Sequence, residues 1–328
     1  MSPPMKAVLC TRYCGPDDLE IRDIPDPVAG AGEAVVRVRA AALNFFDTLI
    51  IAGKYQTKPA FPFSPAAEFA GEVESVGAGV MALRPGDRVV ANIGYGAARE
   101  KVAVAADRLV RVPDGLELER AAGLIVTYGT TLYALRERAQ MRAGETLAVL
   151  GAAGGVGIAA VEIGKLLGAR VIACASSAEK LAFAQRHGAD ATVNYADEDL
   201  KDALRRETGG QGPDVIYDPV GGRATESALR AIAWGGRFLV VGFAAGDIPK
   251  LPLNLVLLKG CDVRGVFWGA WTERDRAGNR VNTEQILEWC ATGKLSAHVH
   301  QTFALNEIAK ALRTLADRKA MGKVILRV

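Results

Sequence analysis

The stretch Leu147–Gly157, LAVLGAAGGVG, carries the clearest chemistry in this 328-residue sequence. An apolar strand runs into glycines and then into a helix. A bound dinucleotide needs that order. The backbone must turn sharply, approach the pyrophosphate without a Cβ in the way, and aim a helix N-terminus at the negative charge. The strict G-x-G-x-x-G spacing is not met: set on Gly154 and Gly157, its first position is Ala152, so the loop is A-x-G-x-x-G. Ala153, Gly154, Gly155, Val156 and Gly157 are the loop's candidate cofactor contacts. Glycine-rich strand ends also occur as plain tight turns, but the strand–helix units that follow favour the dinucleotide.

The end of the next strand bears on which dinucleotide. An NAD site places Asp or Glu there, roughly 20 residues on, to hold the ribose 2′-OH. This chain has Cys174-Ala175-Ser176-Ser177-Ala178-Glu179-Lys180. Two hydroxyls and the Lys180 cation would meet a 2′-phosphate, and Tyr195, after the third strand, adds a donor. Glu179 falls one step into the helix, pointing away from Lys180. The spacing therefore predicts NADP, the competing reading being that Ser177 only caps the helix and Lys180 is solvated.

The elements that must position these residues differ along the chain. The first 120 residues read as short strands and turns, with alternation over Val36–Arg39 and Glu72–Val76 and a short apolar run at Asp87–Ala91. From Val126 to Arg138 the spacing is helical. Strands are then expected at 146–150, 170–175, 191–194, 215–218, 237–241 and 263–266, with helices at 156–167 and 178–187. Continuously apolar strands alternating with helices imply a parallel sheet covered on both faces. The polar stretch Thr272–Arg280 reads as an exposed loop. A helix (283–292), a strand (299–303), a helix (305–317) and a last strand (323–328) close the chain.

Composition narrows the class. Lys plus Arg minus Asp plus Glu is 40 − 37 = +3, which favours neither nucleic acid nor a membrane surface as partner. No apolar run approaches the roughly 18 residues that cross a bilayer, and the N-terminus lacks a secretory pattern, so a cytoplasmic location is expected. The five cysteines, Cys10, Cys14, Cys174, Cys261 and Cys290, are scattered and read as reduced thiols. The only histidines are His187, His298 and His300, which makes most His-based chemistry unpromising.

Several segments together resemble the medium-chain dehydrogenase/reductase superfamily, and within it the zinc-independent, zeta-crystallin-like quinone oxidoreductases. They are Asn44-Phe45-Phe46-Asp47-Thr48, Gly53-Lys54-Tyr55, Pro62–Gly71, Arg84–Val89, Ala152–Gly157, Asp218-Pro219-Val220-Gly221-Gly222 and Gly322-Lys323. The resemblance implies an α/β fold, with a GroES-like β-domain (1–125 and 267–328), a doubly wound Rossmann domain (126–266) and an active site in the cleft between them. It also implies a homodimer formed through the last Rossmann strand, near Val263–Phe267. By the same resemblance, Asn44 and Tyr55 line the site near the nicotinamide, Thr130 lies close to it, and Gly242-Phe243-Ala244 and Val266-Phe267-Trp268 hold the carboxamide and ribose. Phe243, Phe267, Trp268 and Trp271 are expected to wall an apolar pocket, and Lys323 either reaches the cofactor or is solvated.

Zinc-dependent relatives carry a Cys near Asn44–Asp47, a His directly before Glu68 and a four-Cys lobe. This chain has no Cys there, Ala67 in place of the His, and no Cys between Ala91 and Cys174. No metal is expected, because zinc needs three or four ligands in one place. Without it, alcohol dehydrogenation is disfavoured, and Glu68 and Asp47 read as structural carboxylates. A quinone or activated alkene needs little acid–base machinery, with Tyr55 as the candidate proton donor. The leading expectation is an NADPH-dependent quinone reductase. A reductase of α,β-unsaturated carbonyls or acrylyl-type thioesters comes second, with Lys54 and Lys58 as weak candidates for CoA phosphates. A non-catalytic nucleotide- or RNA-binding protein comes last.

Overall fold

A computed structural model describes residues 4–328. The chain forms two compact units. The first comprises residues up to 126, 283–293 and 297–328, and the second 127–282 and 294–296.

The first unit begins with β1 (Met5–Leu9), β2 (Glu20–Ile24), β3 (Glu33–Leu43), helix α1 (Phe45–Ile51), β4 (Glu68–Val76), β5 (Arg88–Asn92), β6 (Lys101–Ala105), β7 (Val110–Arg111) and a short helix α2 (Leu118–Ala122). The long strand β3 is central, pairing antiparallel with both β4 and β6. Val36, Val38, Val73, Val89 and Val102 bury their side chains in one core, as half-buried antiparallel strands require.

Helix α3 (Ile125–Leu132) widens into a π-helical turn at Tyr133–Arg138 and leads into the second unit. There β8 (Thr146–Leu150), α4 (Gly155–Leu166), β9 (Arg170–Ala175), α5 (Ala178–Arg186), β10 (Ala191–Asn194), α6 (Leu200–Glu207), β11 (Val215–Asp218), α7 (Arg223–Ala231), β12 (Arg237–Val240), α8 (Leu253–Lys259) and β13 (Asp262–Gly265) alternate. The sheet is parallel, in the order β10-β9-β8-β11-β12-β13. This is the doubly wound Rossmann arrangement, and its order reverses between β8 and β11. Every residue from Leu147 to Leu150 and from Val215 to Asp218 is buried, which explains why these strands show no alternation.

The stretch 272–280 is not a loop. Helix α9 (Trp268–Arg274) and helix α10 (Arg276–Ala291) meet at Asp275, whose Oδ1 accepts the Gly278 amide at 2.9 Å and so caps α10. Trp268 and Thr272, one helical turn apart, are buried, and the charges lie on the other face. Both α9 and the start of α10, to residue 282, belong to the second unit. Trp268 lies over Gly129, Trp271 stacks on Tyr133 at 4.5 Å, and Arg136 donates to Asn282 at 3.1 Å.

The chain closes the first unit with β14 (Val299–Ala304), α11 (Ile308–Ala316) and β15 (Lys323–Arg327). β15 pairs antiparallel with β3, Val324 opposite Leu43, which completes the GroES-like sheet. Among the described residues, no helix is long and apolar enough to cross a membrane.

Candidate active site

In the second unit the candidate residues gather at the C-terminal edge of the parallel sheet. β8 ends at Leu150, and Gly151 turns the chain at φ +59°. A Cβ on Gly151 would stand 2.7 Å from Val220 Cγ2, so the loops after β8 and β11 come together only with glycine there. Gly154 is the N-cap of α4. A Cβ on Gly157 would meet the Gly151 carbonyl at 2.1 Å, so this glycine lets helix and strand end close on each other. The early amides of α4, at Gly155, Val156 and Gly157, have no carbonyl one turn behind them within the helix, the arrangement that suits an anion. Ala153 is buried just before them.

One strand over, Ser176 and Ser177 follow β9. Ser176 is exposed. The Ser177 hydroxyl accepts the Lys180 amide at 3.4 Å, so Ser177 does cap α5, and its own O–H remains a donor. Tyr195 follows β10, its amide bonded to the Ala175 carbonyl at 3.2 Å. Loop, hydroxyls, lysine and tyrosine thus occupy three neighbouring strand ends.

Beyond β11, Asp218 shapes the return loop. Its Oδ1 accepts the amides of Val220 (2.8 Å) and Gly221 (2.9 Å), and its Oδ2 the Thr225 hydroxyl (2.6 Å). Burial still pushes its carboxyl above the usual range. Gly242, Phe243 and Ala244 follow β12, with the Ala244 amide on the Pro219 carbonyl at 3.1 Å. Val266 is buried, and Phe267 is the exposed N-cap of α9.

The four aromatic side chains expected to wall one pocket do not share an environment. Phe243 and Phe267 are exposed, Trp268 is buried on Gly129 of α3, and Trp271 stacks on Tyr133. The Trp268 ring fills the space left by the missing Cβ of Gly129, and its indole Nε1 is buried without a hydrogen-bond partner. Thr130 is partly exposed, whereas its neighbours Thr127, Tyr128 and Thr131 are buried.

The first unit holds a buried polar cluster. The register that sets Val324 opposite Leu43 and Ala42 opposite Glu68 brings Asn44, Glu68 and Lys323 together. Lys323 Nζ donates to Glu68 Oε1 at 2.8 Å, Asn44 Oδ1 at 2.6 Å and the Leu43 carbonyl at 3.3 Å. Asn44 Nδ2 donates to Glu68 Oε1 at 2.9 Å, and Glu68 Oε2 accepts the Val126 amide at 2.7 Å, in the first turn of α3. Lys323 is thus neither solvated nor extended toward a ligand; it is 3% exposed and all three ammonium hydrogens have acceptors within its own unit. Asn44 is 6% exposed and keeps one amide hydrogen for another partner.

Asp47 lies fully buried next to this cluster. Its Oδ2 accepts the Asn44 amide at 2.7 Å, and its Oδ1 has no hydrogen-bond partner. Burial pushes its carboxyl up to about 7, the Glu68 charge adding to the rise, while the Asn44 and Ala66 amides and Lys323 oppose it. Tyr55 is partly buried, its ring stacked on Phe46 of α1 at 5.4 Å. Burial raises its phenol, and the Asp47 charge raises it further.

Two buried networks lie outside what sequence reasoning found. Thr131 Oγ1 and Tyr217 Oη lie 2.9 Å apart. Glu162 accepts Tyr128 Oη at 2.9 Å and the Ser296 hydroxyl, and meets His187 Nδ1 at 2.7 Å. Burial pushes the Glu162 carboxyl up, but these bonds outweigh it and hold it below the usual range. No local pattern marks either network, because their members come from separate elements.

Comparison with known proteins gives consistent matches. Residues 30–114 match the alcohol dehydrogenase GroES-like domain, and residues 155–283 the zinc-binding dehydrogenase family. The chain is 37% identical over 322 residues to quinone oxidoreductase-like protein 2 of Rattus norvegicus, covering 98% of this chain and 91% of the relative. It is 35% identical over 330 residues to the quinone oxidoreductase of Pseudomonas aeruginosa, covering 98% and 99%. Among solved structures, Escherichia coli quinone oxidoreductase complexed with NADPH superposes with a TM-score of 0.92 at 28% identity, covering 98% of this chain and 100% of that one.

Proposed function

The chain belongs to the quinone oxidoreductase family of the medium-chain dehydrogenase/reductase superfamily, and from that premise we propose that it reduces quinones with NADPH and without zinc. The observation that carries the cofactor choice is the end of β9, where Ser176, Ser177 and Lys180 offer donors and a cation to a 2′-phosphate and no carboxylate sits at the strand end itself. Charge-assisted bonds contribute about 1.5–3 kcal/mol each, so two of them give a preference of tenfold or more.

When bound, NADPH supplies the hydride. The chain supplies the rest. The amides opening α4 bind the pyrophosphate. Thr130, Gly242, Phe243, Ala244, Val266 and Phe267, with the Trp268 backbone, hold the nicotinamide half. Tyr55 donates a hydrogen bond or proton to the developing hydroquinone oxygen, and its raised phenol keeps that proton at neutral pH. Asn44 is held in place by Lys323 and Glu68 and offers its remaining amide hydrogen to the acceptor.

Zinc independence rests on the ligand set. Ala67 precedes Glu68, and among the described residues no group of three His, Cys, Asp or Glu could hold a metal ion. The edge strand β13 and the exposed Leu253, Leu257 and Leu258 of α8 support a homodimer in which β13 pairs with its copy. The five free thiols accord with a cytoplasmic location. The deciding experiment follows NADPH and NADH oxidation by chelator-treated protein with an ortho-quinone and a 2-alkenal. Quinone turnover with NADPH is expected. Turnover of the alkenal alone would reassign the reaction to alkene reduction, and loss of activity on chelation would overturn the zinc-free reading.

A further inference from the structure

Outside the machinery described above, two thiols stand in contact. Cys10 Sγ and Cys14 Sγ are 3.7 Å apart. Cys10 is fixed by two backbone bonds to Phe63, at 2.7 and 3.1 Å, and Cys14 donates its amide to the Ile51 carbonyl, at the end of α1, at 2.9 Å. Tyr13, between them, packs its ring where a Gly53 Cβ would stand, 2.9 Å away, two residues before Tyr55. The other cysteines lie on separate elements: Cys174 in β9, Cys261 just before β13 and Cys290 in α10.

We propose that Cys10 and Cys14 form an oxidation site, in which a hydroperoxide converts the two thiols into a reversible intramolecular disulfide. The sulfurs must approach by roughly 1.7 Å to reach a bond length near 2.05 Å. The turn between them, residues 11–13, is short enough to bend without disturbing a strand. Cys14 is partly exposed and Cys10 is buried, so the oxidant meets Cys14 first.

With hydrogen peroxide as the oxidant, the Cys14 thiolate attacks one peroxide oxygen, the O–O bond breaks, and the departing hydroxide takes up the proton released by the thiol, leaving Cys14 as a sulfenic acid and one water. Cys10 sulfur then displaces the hydroxyl from Cys14 as a second water and the S–S bond forms. The two sulfurs give up two electrons, and one peroxide becomes two waters. Burial pushes both thiols up, Cys10 to about 12; each also lowers or raises the other, Arg12 lowers both, and Asp18 raises Cys14. Little thiolate is therefore present at neutral pH, so the oxidation is slow there and speeds up as pH rises.

The test treats the folded full chain with hydrogen peroxide, blocks remaining thiols with N-ethylmaleimide and digests it with trypsin without reduction. Cleavage after Lys6, Arg12 and Arg22 places the two cysteines in different peptides, 7–12 and 13–22. The expected result is a covalent link between these peptides, loss of two of the five thiols and full recovery with dithiothreitol. In Cys10→Ala the Cys14 sulfenic acid should instead be trapped by dimedone. The proposal is overturned if Cys14 advances to sulfinic acid while Cys10 stays alkylated, or if Cys14 links to another cysteine.

Discussion

Lys323 Nζ lies 2.8 Å from Glu68 Oε1, with both side chains withdrawn from solvent and the two residues 255 positions apart in the chain. The pairing of β15 with β3 makes this contact, and it holds the Asn44 amide on both sides. A buried pair is costly to break from one side, because the remaining charge has no partner. Lys323→Met should destabilise the protein by about 3–5 kcal/mol in urea unfolding. Adding Glu68→Gln to that variant should recover part of the loss, since no unpaired charge then remains.

At the end of β9 the expected effect is on cofactor choice. Lys180→Met should lower kcat/KM for NADPH about tenfold or more and leave the NADH value nearly unchanged, since only the 2′-phosphate meets the ammonium. Steady-state kinetics with both nucleotides reads this directly. Equal losses with both would mean that Lys180 supports α5 and not the phosphate.

Tyr55→Phe removes the phenol and keeps the ring that stacks on Phe46. A proton donor is worth about 100-fold or more, so kcat for quinone reduction should fall by that factor with NADPH binding intact. An unchanged kcat would reduce Tyr55 to a packing residue.

Asp47 gives the fold a pH dependence of definite sign. Its carboxyl is raised by burial from the ordinary 3.8 to about 7, so the folded protein holds this proton more tightly than the unfolded chain. The contribution is full below about pH 4 and is lost as pH rises through 7. Asp47→Asn cannot titrate. The melting temperature of wild type relative to this variant should therefore fall steadily between pH 4 and 7 and level off above it. A constant difference across that range would show that Asp47 does not titrate there.

The homodimer is read by mass. Val263 lies on the exposed edge strand β13, and a charge on such an edge opposes pairing. Sedimentation should give about twice 34.7 kDa for the wild type and a monomer for Val263→Lys. A wild-type monomer would remove the proposed interface.

Much of the second unit was legible from local pattern. The strands 170–175 and 215–218 stand where their apolar runs place them, because a strand buried on both faces leaves an unbroken hydrophobic signature. The glycine loop was legible for the same reason: close approach and a positive φ demand residue types that can be seen in sequence. The region 272–280 was not, because charges on the outer faces of α9 and α10 mask a buried stripe that includes the polar Thr272 and Asn282.

The sequence by itself determined the order of the Rossmann units, the dinucleotide loop, the donors after β9 and the family. Each is built from short local segments, where backbone freedom, capping and apolar periodicity act, and the family from several such segments in order along the chain. Only the tertiary structure decided that Lys323 turns inward to Glu68 and Asn44, that Trp268 closes on Gly129, that Asp47 is left with one oxygen unpartnered, and that Cys10 meets Cys14. These depend on strand register and on what burial does to a charge or thiol. Both are set by partners from elsewhere in the chain, which no local pattern names.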